Sequence, residues 1–370
     1  METIVNVPFL DLKIQYNNLK EQIDRELVAV CEETAFVLGP RVAAFEENFA
    51  KFLETEHTVG VASGTAALEL AFWALGLSDG DEVILPAHTF VATAIGAMSV
   101  GAKPMLVDAD PKTFLFDFDK LEEAVTEKTK AICPVHLYGR ATDMDELTAF
   151  AKKHNLSIIE DTAQAHGARW KGKRVGTFGE FGCYSFYPGK NLGAYGDGGA
   201  ISTNSSELAD KVRRLRNYGS PVKYQHPELG TNSRLDSMQA AILDIKLREL
   251  ENWNNQRWNA AAKYCELLRD DERIVLPELP EKGTHVFHLF VVQVDAREEL
   301  MKKLAEEGVS TGIHYPIPFY LQGGFTNLGY KEGDFPVAEA LAPKILSLPM
   351  FPEISDAQIE HVVSSLKKHL

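Results

Sequence analysis

The sequence predicts an α/β protein: a large domain on a mostly parallel mixed sheet wrapped by helices, then a smaller C-terminal α+β domain. Two patterns predict this. Between Val59 and Asp161, short apolar runs alternate with helical runs across short loops. From Thr284 the texture changes to apolar strand-like runs separated by a helix. The chain has 370 residues, 45% hydrophobic and 25% charged, which is enough for two cores of this kind. The expected boundary puts residues 1–250 in the large domain, with an N-terminal helix, and residues 251–370 in the small one.

The elements follow in order. Leu12, Ile14, Leu19, Ile23 and Leu27 recur at near-helical spacing, which predicts a helix over Leu10–Glu33. Gly39-Pro40 breaks it, and a second helix runs through Leu53. Val59–Ala62 predicts a strand that leads through Ser63-Gly64-Thr65 into a helix over Ala66–Leu75. Further strands are expected at Glu82–Leu85, Pro104–Val107 and Ala131–Val135. A helix over Asp145–His154 precedes the strand that ends at Asp161, and Gly182–Phe186 is another strand. Ser205 or Ser206 caps a helix to Arg216, and a polar loop spans Gly219–Ser233. One long helix, Leu235–Leu268, is expected as a spine between the domains. Strands at Val286–Val292 and Ser310–His314, with helices at Arg297–Glu307 and Asp356–Leu370, complete the small domain.

Composition narrows the function. With 53 acidic against 38 basic residues the formal charge is −15, which opposes nucleic-acid backbones and anionic membranes. No apolar run reaches the roughly 18 residues a bilayer span needs. Met1–Val5 lacks the basic start and apolar stretch of a signal peptide, so a cytoplasmic protein is expected. Cys31, Cys133, Cys183 and Cys265 form no CxxC pair and read as reduced thiols. The 11 histidines show no HxH or HExxH spacing, so no metal site is expected.

Lys190 is the chemically informative residue. It lies in Ser185-Phe186-Tyr187-Pro188-Gly189-Lys190-Asn191-Leu192-Gly193, a turn-rich loop after a strand. Asp161 follows the apolar strand Leu156–Ile159. A lysine and an acid at two strand ends of one α/β layer point to pyridoxal phosphate, with Lys190 forming a Schiff base and Asp161 pairing with the pyridinium nitrogen. Ser63-Gly64-Thr65 at a helix N-terminus suits a phosphate, although the ordinary reading of such a triplet is a helix cap. Phe90 can stack on a flat ring or pack in a core, and Ser185 can reach a phosphate or end a strand. His314-Tyr315 can face a cleft or sit in a buried turn. There is no GxGxxG and no Walker motif.

Taken in order, these segments closely resemble the pyridoxal-phosphate-dependent nucleotide-sugar aminotransferases of the DegT/StrS type. The resemblance runs from Phe9-Leu10-Asp11-Leu12 to about Pro349. Its motifs here are Ala62–Leu68, Pro86–Thr93, His136–Gly139, Glu160–Ala168, Ser185–Gly193 and Asn232–Asp236. It implies the aspartate aminotransferase-like fold (fold type I) and a homodimer with shared sites. It implies that Lys190 carries the cofactor and shuttles protons, and that Asp161 pairs with the ring nitrogen. Gln164 contacts the ring hydroxyl, and Phe90 stacks on the ring. Gly64, Thr65 and Ser185 hold the phosphate. Asn232 reaches the phosphate in the neighbouring subunit, while His314 and Tyr315 face the sugar. Relatives that are dehydratases carry His at the position of Lys190, so the lysine favours transamination.

The expected reaction moves an amino group from glutamate to a nucleotide-linked keto-sugar. The loop Pro188-Gly189-Lys190-Asn191 resembles members acting on 3-keto-6-deoxyhexoses, with thymidine diphosphate the common carrier. A 4-keto sugar nucleotide, a keto-cyclitol, or a regulatory protein without turnover are the other readings. Arg169, Lys171, Lys173, Arg174 and Lys223 are candidate partners for the sugar's diphosphate. Arg140 stands where glutamine is common in the family.

Overall fold

A computed structural model describes residues 6–370, so the expectation for Met1–Val5 lies outside the described residues. Helix α1 (Leu12–Glu33) starts where the Asp11 carboxylate accepts the Lys13 N–H at 2.8 Å. Gly39 and Pro40 open α2 (Pro40–Leu53). The chain then alternates through β1 (His57–Val61), α3 (Gly64–Ala74), β2 (Glu82–Pro86), α4 (Val91–Ser99), β3 (Lys103–Val107) and β4 (Thr129–Ile132). Helix α5 (Met144–His154), strand β5 (Ser157–Asp161), and the short hairpin of β6 (Arg169–Trp170) and β7 (Lys173–Arg174) follow. Strands β8 (Phe181–Ser185) and β9 (Gly199–Thr203) precede α6 (Ser206–Leu215).

The main sheet has the order β1-β9-β8-β5-β4-β2-β3. Every neighbouring pair is parallel except those of β9, which runs antiparallel to both β1 and β8. The expected mostly parallel sheet is therefore present. Strand β9, which follows Gly196-Asp197-Gly198, was not expected. Strands β1, β2, β5 and β8 all point the same way, so their C-terminal ends share one edge. In open α/β sheets that edge is where ligands bind.

The remaining elements are α7 (Ser237–Leu247), α8 (Leu250–Leu268), β10 (Phe290–Gln293), α9 (Arg297–Glu306), α10 (Pro336–Leu341), β11 (Ile345–Leu348) and α11 (Asp356–His369). Three expectations need correction. The stretch Leu235–Leu268 is two helices, with a turn at Arg248-Glu249. Its first half packs on α1 and α2, its second on α11, so one straight axis cannot serve both faces. Of Val286–Val292, only the end pairs as β10, antiparallel to β11. Phe287 has φ 41°, and residues 286 and 289 donate to the carbonyls of Gly139 and Tyr138 instead. Ser310–His314 is not a strand either: Gly312 makes one isolated bridge to Ser347, and the His314–Tyr315 peptide is cis.

Two large cores result. One fills the space between the main sheet, α3, α4 and α6, and includes Phe319, Phe325 and Phe335 from late in the chain. The other joins α8, α9, α11, β10 and β11, and takes in Val7 from the N-terminal segment. The chain thus crosses between cores on both sides of residue 250.

Candidate active site

The strand ends of the main sheet and loops from the second core enclose a cavity of about 460 Å³. Its floor is β5. Asp161 is buried there, its Oδ2 accepting from Thr93 Oγ1 at 2.9 Å and its Oδ1 from the Ala163 N–H at 3.1 Å. Burial raises its pKa above the usual carboxylate value, against the pull of these two donors and of Lys190. Such a carboxylate is stabilised by a positive group on its open side.

Lys190 faces the same cavity, with its backbone N–H on the Tyr187 carbonyl at 2.8 Å. Desolvation lowers its pKa from 10.5 to about 8, and the charge of Asp161 opposes that shift. About a tenth of its amine is therefore unprotonated at pH 7, far more than for an exposed lysine, which favours its use as a nucleophile. The loop that carries it is anchored by the side chain of Asn191, which donates to Asn254 Oδ1 at 2.9 Å and to the Val286 carbonyl at 3.0 Å.

At one end of the cavity, Ser63 caps α3 by accepting the Ala66 N–H at 3.1 Å. Gly64, Thr65 and Ser185 line that end. A Cβ added to Gly64 would stand 2.5 Å from Ser185 Cβ, so only glycine permits this approach of helix start and strand end. The backbone N–H groups of the α3 N-terminus form an anion site there.

Gln164 is buried beside the floor. Its Oε1 accepts the Tyr138 N–H at 2.7 Å, and its Nε2 donates to Tyr315 Oη at 3.2 Å. The second Nε2 hydrogen remains for a ligand. Phe90 is 47% exposed at the start of α4, its ring 5.3 Å from that of Tyr315. His314 hydrogen-bonds Ser347 Oγ through Nδ1 at 2.8 Å and stacks on Phe9 at 5.8 Å. Burial lowers its pKa from 6.5 to about 4, with Lys190 adding to the shift, so it is neutral at physiological pH.

The structure thus gathers nine of the ten expected site residues on one cavity: Gly64, Thr65, Phe90, Asp161, Gln164, Ser185, Lys190, His314 and Tyr315. Asn232 is not among them. It is exposed and lines a neighbouring depression with Arg234 and Asp236, which shares only Ser63 and Asp197 with the cavity. Four of the candidate diphosphate partners are engaged elsewhere. Arg169 pairs with Glu54, Lys171 with Asp145, and Arg174 with Glu251, while Lys173 lies over the Phe178 ring. Arg140 pairs with Glu278 at 2.6 Å and does not line the cavity. Lys190 is the one lysine or arginine among the described residues that lines it.

Sequence reasoning missed Thr93, His288 and Phe9. Thr93 stands three residues after Phe90, one helical turn on, a spacing that places both on the cavity side of α4. His288 and Phe9 come from segments remote in sequence, and no local signal marks them. The cavity suits pyridoxal phosphate: an anion-binding helix start, a buried carboxylate, an amine of lowered proton affinity and an aromatic wall surround one space. Among the described residues no cluster of three or more His, Cys, Asp or Glu could hold a metal, and no helix is long and apolar enough to cross a membrane.

Comparison with known proteins agrees with this geometry. Residues 17–367 match the profile of the DegT/DnrJ/EryC1/StrS aminotransferase family. The chain is 48% identical to a pleiotropic regulatory protein of Geobacillus stearothermophilus, over 98% of each chain. It is 44% identical to dTDP-3-amino-3,4,6-trideoxy-alpha-D-glucose transaminase of Streptomyces venezuelae, over 98% of this chain and 96% of that one. The crystal structure of S. venezuelae DesV in complex with a ketimine intermediate superposes with a TM-score of 0.96 at 44% identity, covering 98% of both chains.

Proposed function

Because the chain belongs to the DegT/DnrJ/EryC1/StrS aminotransferase family, we propose that it moves an amino group from glutamate to the C3 ketone of a nucleotide-linked 6-deoxyhexose. The enzyme is a pyridoxal-phosphate-dependent sugar aminotransferase. The observation that carries the finer reading is the full-length similarity to a transaminase named for a 3-amino sugar, together with the intact Lys190–Asp161 cavity. Thymidine diphosphate is the proposed carrier and the cytoplasm the proposed compartment; the four cysteines are free.

Bound pyridoxal phosphate supplies a reactive aldehyde and an electron-withdrawing ring. Lys190 Nζ is its attachment point. Once free, Nζ would carry the proton from the donor's Cα to the cofactor's aldehyde carbon, and in the sugar half it would carry one from that carbon to C3. Asp161 keeps the ring nitrogen protonated, with Thr93 and Ala163 fixing the carboxylate. Gln164 Nε2 would bond the ring hydroxyl, Phe90 would pack on the ring, and Gly64, Thr65 and Ser185 would hold the phosphate. His314 and Tyr315 orient the sugar beside the ketone.

A homodimer completes this site. The cavity lacks arginine, yet the donor carboxylate and the sugar diphosphate both need cations. Asn232 and Arg234 flank the adjoining depression, and Tyr224 (83%) and Leu229 (84%) are exposed on the preceding loop with Lys223. We read these groups as serving a second copy. Residues 1–250 and 251–370 remain the proposed domains, joined by the crossings described above.

The test offers 3-keto and 4-keto thymidine-diphosphate sugars and a keto-inositol at equal concentration and compares kcat/KM. The 3-keto sugar is expected to lead by at least about tenfold, since a pocket built to bond specific hydroxyls rejects a substrate lacking them. Preference for the 4-keto sugar sinks the regiochemistry; preference for keto-inositol sinks the nucleotide-sugar reading. The name of the 48% identical relative raises a second reading, a regulatory protein without turnover. Intact Lys190, Asp161 and Gln164 weigh against it. An absorbance spectrum that glutamate leaves unchanged would support it.

A further inference from the structure

The segment His314-Tyr315 forms one wall of the cavity but belongs to no strand or helix. Something other than regular backbone pairing must hold it. The Tyr138 hydroxyl donates to the His314 carbonyl. Tyr138 is buried, with φ 59°, in the turn before Gly139, and its own N–H is taken by Gln164 Oε1. The same Gln164 holds Tyr315 Oη through Nε2. One turn therefore fixes the segment twice: directly at His314, and through Gln164 at Tyr315.

The third member is His88, whose Nε2 lies 2.9 Å from Tyr138 Oη. A tyrosine hydroxyl has one proton, and here it goes to a carbonyl that can only accept. The hydroxyl must then accept from His88, which assigns the proton to Nε2. Burial keeps His88 neutral, lowering its pKa from 6.5 to about 4. His88 stands two residues before Phe90, whose ring packs on Tyr315. The path His88 → Tyr138 → His314 carbonyl thus ties the start of α4 to the sugar-facing wall by directed hydrogen bonds. Neither His88 nor Tyr138 lines the cavity.

We propose that Tyr138 is a positioning residue for the sugar half of the reaction, its hydroxyl, oriented by His88, setting the His314-Tyr315 wall against which the sugar ring is placed. This rests on the proposed sugar-facing role of that wall. The Tyr138 ring packs in a separate cluster with Phe114 and Leu289, so Tyr138→Phe removes the hydroxyl and keeps the packing.

The experiment measures both half-reactions in single turnover on the loaded enzyme, using whichever keto-sugar the wild type aminates fastest. Tyr138→Phe is expected to slow the sugar half-reaction by about 10–100-fold and the glutamate half-reaction by no more than about twofold. His88→Leu is expected to slow the sugar half-reaction less. The double variant should lose no more than Tyr138→Phe alone, because the two act in series. Equal losses in both half-reactions, no loss in either, or additive losses in the double variant each overturn the proposal. Crystals of Tyr138→Phe give a readout independent of substrate identity: His314 and Tyr315 should shift or take several positions, and an unchanged wall overturns the proposal. Choosing the sugar by the wild type's preference keeps a failed C3 assignment separate from a failed role for Tyr138.

Discussion

Strand β5 presents one carboxylate to each of its faces, and the two surroundings differ in what they leave open. Glu160 is saturated. Its Oε1 accepts the N–H groups of Phe178 at 2.7 Å and Gly179 at 3.0 Å, and its Oε2 accepts Gly176 N–H at 2.6 Å and His136 Nε2 at 3.1 Å. His136 Nδ1 in turn accepts the Thr142 N–H at 3.1 Å, so the histidine proton belongs on Nε2, toward Glu160. Three of its four donors come from the 176–179 turn and the fourth is His136, so no acceptor site on that side stays open. Asp161 takes only two donors and turns its open side to the cavity and Lys190. Adjacent buried acids thus divide into one that fixes the backbone and one that waits for a cation. The same contrast separates the two lysines of lowered proton affinity. Lys246, at about 7, is fully buried and donates to the Gly193 carbonyl at 2.7 Å, whereas Lys190, at about 8, faces open space. A shifted pKa marks burial; a free direction marks a site.

The largest expected effect comes from the open side. Lys190→Ala should lower turnover by at least about 10⁴-fold while leaving the fold intact. Borohydride reduction of the loaded enzyme, followed by peptide mapping, should label Lys190; a label on Lys246 would break the comparison at its root. Next, Asp161→Asn should cost about 10²–10³-fold in kcat with little change in thermal midpoint, since the amide oxygen can still accept the Ala163 N–H and its NH₂ can donate to the rotatable Thr93 hydroxyl, while the charge is lost. Near-full activity of this variant would remove the electron-sink role.

Glu160→Gln should show the opposite profile. Replacing one oxygen by an NH₂ group sets donor against donor inside a buried network, which costs roughly 2–4 kcal/mol of stability. Denaturant titration measures this, and kcat per folded molecule should stay within about threefold. A large loss of kcat with unchanged stability would mean that the two acids are less distinct than their partners suggest.

The smallest effect is in pH dependence. Lys190 binds its proton with a pKa of about 8 when folded, against 10.5 for an exposed lysine. Between those values the unfolded chain holds more protons than the folded one, so the lysine's contribution to stability rises with pH across that window. Below about pH 8 both states are protonated and the burial cost is fully present. Cofactor-free wild type should therefore gain on Lys190→Met as pH increases from 8 toward 10.5. Lys246 has the same sign but is common to both proteins. A constant difference across the window would show that Lys190 is not desolvated.

Much of this was legible in the sequence because local signals coincide with strand ends. Asp161 and Lys190 each follow an apolar run, and Gly64 opens a helix, so alternation alone brings them to one edge of the sheet. The failures occurred where long-range contacts overrode local texture. Val286–Val292 reads as a continuous strand, but Phe287 leaves the extended region so that its neighbours can pair with the Tyr138-Gly139 turn. The 199–203 strand hid behind glycines whose absent side chains allow close packing: a Cβ on Gly199 would lie 2.4 Å from the Ser63 carbonyl oxygen. Strand alternation says that Glu160 and Asp161 face apart, but which one meets the cavity depends on β8 and α4, which the acids' own sequence does not encode. His288 and Phe9 reach the site only through contacts remote in sequence; Phe9 packs in the cluster of Val135, Leu137, Tyr138 and Leu289.

Gly64 has a bearing on how this enzyme's substrate range can change over evolutionary time. With Ser185 Cβ 2.5 Å from where a side chain would begin, that end of the cavity is sealed to mutational drift. The opposite wall is different in kind. Phe9, His288, His314 and Tyr315 lie outside regular elements, so each can exchange without tearing a sheet or a helix. Lineages that depart from this sequence toward other sugars have one end of the pocket held constant and the other free to vary, and new specificities should accumulate on the side contributed by the second core.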